Sequence, residues 1–288
     1  MIDRRGFLGA LPLVAAAVSR PGVSLRFTRP SPARPPTGRE LDGLGVQLYT
    51  LRDAIAEDLD GTLAAVAQVG YREVELFQLH GLTPAALRAK LDGVGLRAAS
   101  SHYGVQLIRD DFDRTLEGAQ ELGQRLVVVP SLPGAERSSD GLRRVADDFN
   151  RAGAAARSAG LRFGYHNHDW ELRPMADGTV PIELLLDRTE PDLVDWQMDI
   201  FWTVHGGGDP LSLLDRRAGR VTSVHVKDRT ATGEMVDVGD GVIDFSAVLA
   251  AAEQRGLMHA FVEHDQPGRG IRSVGRSFRY LRSIGVAS

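Results

Sequence analysis

The feature that most constrains the fold is a regular alternation of short apolar runs with longer segments of helical period, which begins near Gly45. Eight strand–helix units can be counted, and this alternation is typical of a parallel sheet whose strands are joined by helices. The predicted strands are residues 45–49, 73–77, 96–102, 126–129, 162–166, 193–199, 222–226 and 259–263. The clearest predicted helices are residues 59–69, 83–94, 112–122, 141–159, 245–254 and 271–283.

The number of units favours a closed (β/α)8 barrel, a TIM barrel, over an open doubly wound sheet. No G-x-G-x-x-G motif follows the first strand, and a chain of 288 residues with 43% hydrophobic content can bury one large core. Several predicted helices end in a glycine, as expected where the chain must turn into the next strand. These glycines are Gly70, Gly95, Gly123, Gly160 and Gly256. We therefore predict a single α/β domain, a TIM barrel, over residues 41–288.

The first 40 residues have a different composition. Arg4 and Arg5 directly precede an apolar run, residues 7–18, that is too short to span a bilayer stably. The pair resembles a twin-arginine export signal, so residues 1–18 are predicted to be a signal peptide; an ordinary secretory signal or an uncleaved anchor are the alternatives. Residues 19–40, rich in Pro and Arg, are predicted to be a linker. We expect a periplasmic or exported protein without a stable membrane anchor.

Charge and composition limit the partners. The net charge of -4 and the absence of a basic run interleaved with aromatics argue against a nucleic-acid partner. The chain has no cysteine, so any metal ion must be held by His, Asp and Glu. The oligomeric state stays open, a homo-oligomer included.

Polar residues concentrate at the predicted C-terminal ends of the strands, where barrel active sites lie. The set contains Gln47, Tyr49, Glu75, His102, His166, His168, Asp199, His225, Lys227, Glu263 and His264. Five of the eight histidines belong to it. A concentration of this kind predicts an active site at the mouth of the barrel.

The last four strands each contribute one candidate metal ligand. His166, Asp199, His225 and Glu263 are separated by about one strand–helix unit each, so closure of the barrel makes them neighbours. Two imidazoles and two carboxylates suit one divalent ion such as Mn²⁺, Zn²⁺, Co²⁺ or Fe²⁺ better than an all-oxygen Ca²⁺ site. The alternative is a network of salt bridges and hydrogen bonds without a metal.

A family resemblance rests on six short segments in fixed order: GVQLY (45–49), GYREVELF (70–77), YHNHD (165–169), MD (198–199), HVKD (225–228) and FVE (261–263). Together they resemble the xylose isomerase-like sugar phosphate isomerase/epimerase superfamily, from Gly45 to the C-terminus. The resemblance implies one metal ion, often Mn²⁺, that binds a sugar or polyol through adjacent oxygens. The implied ligands are usually Glu, Asp, His and Glu, whereas here the first is His166.

The departure at His166 bears on the reaction. In the ketose 3-epimerases of that superfamily, the first and last ligand positions carry the two glutamates that remove and return a proton. This chain keeps only Glu263, which can act as general base for enolisation of a metal-bound keto-sugar. The sequence leaves open whether His166 is the ligand, or whether His168 takes that task and His166 serves as second acid/base.

The leading expectation is a metal-dependent sugar isomerase or epimerase that abstracts the α-proton of a keto-sugar, with Mn²⁺ as the first choice of metal. The alternative is an exported lyase or hydratase that acts on keto-sugars, 3-keto-glycosides included, by β-elimination, as in the inosose dehydratases that resemble this family. His102, His168 or Lys227 would then supply the acid. A non-catalytic carbohydrate-binding protein and a metal-dependent endonuclease are weaker alternatives.

Other residues receive secondary roles. Glu75 and His102 are predicted to contact substrate, with orientation of a neighbouring base or a rim salt bridge as the alternatives for Glu75. Lys227 lies on the same strand face as His225 and is predicted to contact substrate oxygens or stabilise an enolate. Trp170 and Trp202, with Phe201, lie in predicted loops where they could cover a sugar ring or simply pack. Asp169 and Asp228 are predicted to orient the ligand histidines.

Overall fold

The computed structural model describes residues 43–266 and 270–286, so the predicted signal peptide (1–18) and linker (19–40) lie outside the described residues. Eight parallel strands form a closed barrel in the order β1-β10-β7-β6-β5-β4-β3-β2. The strands are β1 Leu44–Gln47, β2 Glu73–Leu76, β3 Arg97–His102, β4 Leu126–Val129, β5 Arg162–His166, β6 Val194–Asp199, β7 Val221–Val226 and β10 His259–Val262. Two further strands, β8 Asp228–Arg229 and β9 Met235–Val236, pair as a small antiparallel hairpin. The predicted (β/α)8 barrel is confirmed.

The helices surround the barrel. They are α1 Arg52–Glu57, α2 Leu59–Val69, α3 Pro84–Gly93, α4 Val105–Asp110, α5 Phe112–Leu122, α6 Ser139–Ser158, α7 Pro181–Arg188, α8 Ile200–His205, α9 Pro210–Arg216, α10 Phe245–Glu253 and α11 Ile271–Ser283. The predicted bounds of α2, α5 and α11 are confirmed, and those of α3, α6 and α10 shift by one or two residues. At α6 the reason is an N-cap, because the Ser138 side chain accepts the N–H of Gly141 at 3.1 Å. The five helices that were not predicted span only six to eight residues, too short to show a clear period.

All five glycines predicted to end helices have positive φ, between +74° and +122°. At Gly70 a side chain would also collide with its surroundings, because an added Cβ would lie 2.5 Å from the ring of Phe278. Among the described residues, no helix combines the length and the apolar character needed to cross a membrane.

The first strand ends two residues earlier than predicted. The Gln47 side chain accepts the backbone N–H of Tyr49 at 3.1 Å, and residues 48–51 turn away in a 3₁₀ helix. Tyr49 therefore lies outside the strand, with 40% of its surface exposed. At the last strand, Glu263 is the first residue after β10 rather than its final residue.

An ionic cluster around the buried Glu73 links three strands at the N-terminal end of the barrel. Glu73 of β2 contacts Nδ1 of His259 in β10 at 2.9 Å and accepts two bonds from the guanidinium of Arg97 in β3 at 2.9 and 2.7 Å. Strand β1 lies between β2 and β10, and at Gly45 it leaves room for the neighbouring side chains. A Cβ added there would lie 2.4 Å from the ring of Phe261. The cluster thus bridges the two strands that flank β1.

Two aspartates predicted to orient the ligand histidines have other partners. Asp228 is buried and accepts four backbone N–H groups of the loop around the hairpin, those of Arg229, Gly239, Gly241 and Ile243, at 2.8 to 3.2 Å. Asp169 forms an ion pair with Arg173 at 2.7 Å. The prediction for both residues was wrong: Asp228 shapes the loop because its lone pairs satisfy backbone donors, and Asp169 pairs within its own loop.

Candidate metal centre

The four predicted ligands meet at the C-terminal mouth of the barrel. His166 ends β5, Asp199 ends β6, His225 lies in β7, and Glu263 follows β10; these strands are adjacent in that order. One ligand atom from each of Asp199, His225 and Glu263 lies within 4.8 Å of the other two. Nε2 of His166 lies 3.6 Å from Oδ2 of Asp199. The structure therefore brings together all four residues that the sequence analysis selected as ligands.

Asp199 uses its two oxygens differently. Oδ1 accepts the N–H of Trp202 at 2.9 Å and so caps helix α8. The backbone N–H of Asp199 is held by Oδ1 of Asn167 at 3.0 Å, and the same atom accepts the indole N–H of Trp196 at 2.8 Å. These bonds fix the end of β6 and leave Oδ2 directed at the cluster.

The Lys227 ammonium lies among the carboxylates. Its Nζ is 2.9 Å from Oδ2 of Asp199, 2.8 Å from Oε2 of Glu263 and 2.8 Å from Oδ1 of Asp265. The side chain is buried, and its partners raise its pKa although burial alone would lower it. Lys227 is therefore positively charged at neutral pH.

The remaining charges follow from burial and from these contacts. Burial raises the pKa of Asp199 to about 6, against the opposing effect of Lys227. Burial acting alone would lower the pKa of His225, but Glu263, 2.5 Å from Nδ1, and Glu75, 2.6 Å from Nε2, raise it to about 10. The pKa of Glu263 is lowered, because Lys227 and His225 outweigh its burial. Glu263 is therefore ionised at neutral pH.

The donor set fits a divalent cation. Asp199, Glu263, Asp265 and Glu75 face one ammonium and one imidazolium, which leaves an excess of negative charge in a buried pocket, and burying such an excess is costly unless a cation compensates it. The His166 Nε2–Asp199 Oδ2 distance of 3.6 Å is too long for a hydrogen bond. Two imidazole nitrogens and two carboxylate oxygens are donors that Mn²⁺, Zn²⁺, Co²⁺ and Fe²⁺ accept.

The two candidate histidines of the fifth strand differ in their surroundings. His166 is buried, and burial together with the neighbouring His225 lowers its pKa well below the usual value. The ring of His168 lies 5.1 Å from that of His166 and 5.8 Å from the Trp202 ring, and its Nδ1 is buried without a hydrogen-bond partner among the described residues. Burial and Lys227 lower its pKa to about 4. His166 faces Asp199, so its ring is the better placed ligand.

Glu75, which was predicted to contact substrate, lies beneath the candidate metal ligands. It is fully buried, and both carboxylate oxygens contact protein groups. Those groups are Gln47, Ser100, His102, Gln197 and His225. Its oxygens are satisfied by protein groups beneath the ligands, which favours the alternative that Glu75 orients neighbouring groups; the contact with substrate hydroxyls stays a prediction.

His102 is also part of this network. Its Nε2 lies 2.9 Å from both Oε2 of Glu75 and Oε1 of Gln197, and its Nδ1 lies 3.4 Å from Nε2 of Gln47. Both ring nitrogens of His102 contact protein groups, and its predicted substrate contact stays a prediction. Ligand atoms of His102, His166 and His225 also lie within 4.8 Å of one another. Nε2 of His102 already shares Glu75 and Gln197 with the other two rings, so we do not assign a second metal site there.

Three residues around the site were not predicted from the sequence: Gln197 and Ser100, which donate to Glu75, and Glu171, which accepts the backbone N–H of His168. Gln197 precedes Asp199 by two residues and so shares its face of β6, which is the signal that could have found it. The predicted aromatic positions lie in helical turns rather than in loops: Trp170 begins a 3₁₀ helix and Trp202 lies in α8. Trp202 is at the mouth, 5.9 Å from Nζ of Lys227, whereas Trp170 packs against the guanidinium of Arg137.

A closed parallel barrel with a His/Asp/Glu cluster at its C-terminal mouth defines the class of TIM-barrel proteins built to hold a small molecule and a metal ion there. The chain belongs to the xylose isomerase-like TIM barrel family, whose model matches residues 63–284.

Among curated proteins, the chain is 28% identical over 233 residues to an inosose dehydratase of Geobacillus kaustophilus, an alignment that covers 66% of this chain and 74% of the relative. Among solved structures, a sugar phosphate isomerase/epimerase from Parabacteroides distasonis is 28% identical, with a TM-score of 0.76 over 85% of this chain and 95% of the other. The IOLI protein, whose crystal structure contains a zinc atom, shares the fold with a TM-score of 0.66 at 16% identity, covering 85% of this chain and 96% of that one.

Proposed function

We propose that this protein is a metal-dependent lyase that removes a β-oxygen substituent from a keto-sugar, with Glu263 as the base. The observation that carries the proposal is the imidazole at position 166. In the family that the sequence resembles, two-base epimerases carry a second glutamate at this position, whereas here His166 directs a ring nitrogen at Asp199. The buried carboxylate Glu263 is then left as the single base at the end of the ligand strands.

The chemistry of a single base favours elimination. A divalent ion held by His166, Asp199, His225 and Glu263 would polarise the substrate carbonyl and acidify the neighbouring C–H bond. Glu263 takes that proton, and the C–H electron pair becomes a C=C bond conjugated with the carbonyl. The β-oxygen leaves with its bonding pair and receives the proton from Glu263, so one carboxyl group serves as base and then as acid.

Lys227 and His168 complete the proposed site. The Lys227 ammonium is 2.8 Å from Glu263, where its positive charge keeps the base ionised and stabilises negative charge on the substrate. The His168 ring lies 5.1 Å from that of His166, close enough to the cluster to assist the leaving oxygen. The similarity to inosose dehydratase, a protein named for the loss of water from a keto-polyol, supports this assignment.

An isomerase or epimerase is the second candidate. It is supported by the P. distasonis structure and by His168, which could act as the second acid/base across the cluster from Glu263. The N-terminal sequence supports the further proposal that the protein acts after export, on sugars that carry no phosphate. Cell fractionation of the full chain tests this part, and retention in the cytoplasm would refute it.

A deuterium experiment separates the two reactions. The protein is loaded with Mn²⁺ or Zn²⁺ and incubated in D₂O with a 3-keto-glucoside. Elimination yields an unsaturated keto-sugar and the free alcohol, whereas isomerisation or epimerisation incorporates deuterium into a sugar of unchanged composition. Glu263→Gln should abolish either reaction while Glu73→Gln, a matched change of a buried glutamate at the other end of the barrel, should retain it. Deuterium exchange without release of the alcohol would refute the lyase proposal.

A further inference from the structure

The buried carboxylate of Glu75 lies beneath the candidate metal centre. It contacts one histidine ligand directly and the other through Gln197. Glu75 Oε2 is 2.6 Å from Nε2 of His225, and Glu75 Oε1 accepts a hydrogen bond from Nε2 of Gln197 at 2.7 Å. The carboxylate also accepts bonds from Ser100 and Gln47. All these contacts are with protein groups, and the side chain has no exposed surface. Glu75 therefore acts on the site only through other residues.

At His225 the effect of Glu75 is direct. A carboxylate only accepts hydrogen bonds, so Nε2 of His225 carries the proton in this contact. The opposite ring nitrogen, Nδ1, faces the Glu263 carboxylate at 2.5 Å, so it also carries a proton while no metal is bound. Because Glu75 holds the proton on Nε2, Nδ1 is the nitrogen that would exchange its proton for a metal ion. A carboxylate behind a ligand histidine fixes which ring nitrogen is offered and how the ring is oriented.

At His166 the effect passes through Gln197. Because Nε2 of Gln197 donates to Glu75, the amide is oriented with its oxygen toward His166, and Oε1 lies 3.1 Å from Nδ1 of that ring. An amide oxygen accepts, so Nδ1 of His166 carries the proton and Nε2 keeps its lone pair. Nε2 is the nitrogen that faces Oδ2 of Asp199.

We propose that Glu75 is a positioning residue that sets which ring nitrogen each histidine ligand offers to a metal ion, directly at His225 and through the Gln197 amide at His166. It makes the two rings offer different nitrogens: Nδ1 from His225, which faces Glu263, and Nε2 from His166, which faces Asp199. The inference rests on the proposed metal centre for its purpose, but the hydrogen-bond pattern stands without a metal.

Replacing the carboxylate by an amide breaks the pattern, because an amide has one donor end. In Glu75→Gln, the new NH₂ group must face either His225 or Gln197. Both of these residues donate a hydrogen bond to Glu75 in wild type, so one N–H group would then face another N–H group. The exchange Glu75→Gln with Gln197→Glu restores the bonds to both histidines: the new carboxylate at 197 accepts from Nδ1 of His166 and from the amide at 75, whose oxygen accepts from Nε2 of His225. The double variant is therefore a rescue that a merely structural role would not predict.

The test uses the full chain and two measurements. Nitrogen-15 NMR of the histidine rings reports the tautomer of His166 in the metal-free protein and the coordinating nitrogen of His225 in the Zn²⁺-loaded protein, and calorimetric titration with Mn²⁺ reports the affinity. Glu75→Gln should change the tautomer populations and weaken Mn²⁺ binding by roughly 10- to 100-fold, the usual loss when a partner behind a ligand is removed. The double variant should restore both. Glu73→Gln, on the same face of the same strand but at the other end of the barrel, should leave both measurements within twofold of wild type.

The outcomes separate this inference from the proposed function. Unchanged tautomers in Glu75→Gln, or a double variant no better than the single one, would overturn it. If tautomers respond as expected but wild type binds neither Mn²⁺ nor Zn²⁺, the positioning role holds and the metal-dependent lyase fails. If Glu75→Gln does not fold, Gln197→Met severs only the indirect branch: it should alter the tautomer of His166 while Zn²⁺-loaded His225 keeps Nδ1 as its coordinating nitrogen. The opposite pattern would refute the relay.

Discussion

The buried carboxyl group of Glu171 should make the free energy of unfolding of the barrel depend on pH. Its Oε1 accepts the Tyr165 hydroxyl at 2.5 Å and its Oε2 accepts the backbone N–H of His168 at 2.8 Å. Burial raises the pKa of Glu171 from 4.5 to about 7. The folded state therefore binds a proton more tightly than the unfolded state, so this contribution to stability is complete below about pH 4.5 and is lost as the pH rises through about 7.

The size of the effect follows from the shift in pKa. A shift of about 2.5 units corresponds to about 3 kcal/mol, of which about 2.5 kcal/mol is lost between pH 5 and pH 8. Asp199, with a pKa of about 6, changes stability in the same direction, so the comparison must isolate Glu171. The neutral variant Glu171→Gln keeps an acceptor for Tyr165 but cannot ionise.

The assay is urea unfolding of both proteins at pH 5, 6, 7 and 8 in a chelating buffer. The free energy of unfolding of wild type should fall relative to Glu171→Gln by about 2.5 kcal/mol across this range. Glu117→Gln, at an exposed position of α5, should run parallel to wild type. If the curves of wild type and Glu171→Gln are also parallel within about 0.5 kcal/mol, burial does not raise the pKa of Glu171 and the reasoning is refuted.

Two further changes test the mouth and the closure of the barrel. Lys227→Met leaves three carboxylates without their ammonium, so the metal-free protein should lose about 3–5 kcal/mol of stability. Mn²⁺ should then raise the melting temperature of the variant by more than it raises that of wild type. An equal rise in both proteins would contradict the idea that the ammonium and the metal ion compensate the same carboxylates. Gly45→Ala places a Cβ 2.4 Å from the Phe261 ring and should cost about 1–3 kcal/mol in urea unfolding. Gly164→Ala in β5, where the nearest atom is 3.4 Å away, should cost clearly less, and equal losses would show that the crowding at Gly45 is unimportant.

The barrel and its four candidate ligands were predictable because the signal is local. Each strand is a short apolar run, each long helix has a period, and a polar residue at the C-terminal end of a strand lies near the mouth. His166, Asp199 and His225 follow from that rule, and Glu263 follows from it with an error of one residue in the strand end.

The network beneath the ligands was not predictable in the same way. Only its two-residue spacing from Asp199 marks Gln197, because its strand is buried on both faces and no alternation of apolar and polar residues shows which side chains point inward. The role of Glu75 depends on atoms that are 122 and 150 positions away in sequence, in Gln197 and His225. Residue type at a strand end indicates that a side chain is near the mouth, but hydrogen-bond partners decide whether it meets a ligand or supports one.

Strand β2 contains Glu-Val-Glu, and its two glutamates face the same side of the sheet at opposite ends of the barrel interior. Glu73 contacts side chains of β3 and β10, and Glu75 contacts the histidines at the mouth. Because the contacts of the two glutamates do not overlap, the N-terminal half of the barrel can stay unchanged when residues near the mouth are replaced. A protein engineer can therefore exchange residues 47, 75, 100 and 197 together to seek a new chemistry. The contacts of Glu73 with Arg97 and His259 would still link β2 to β3 and β10.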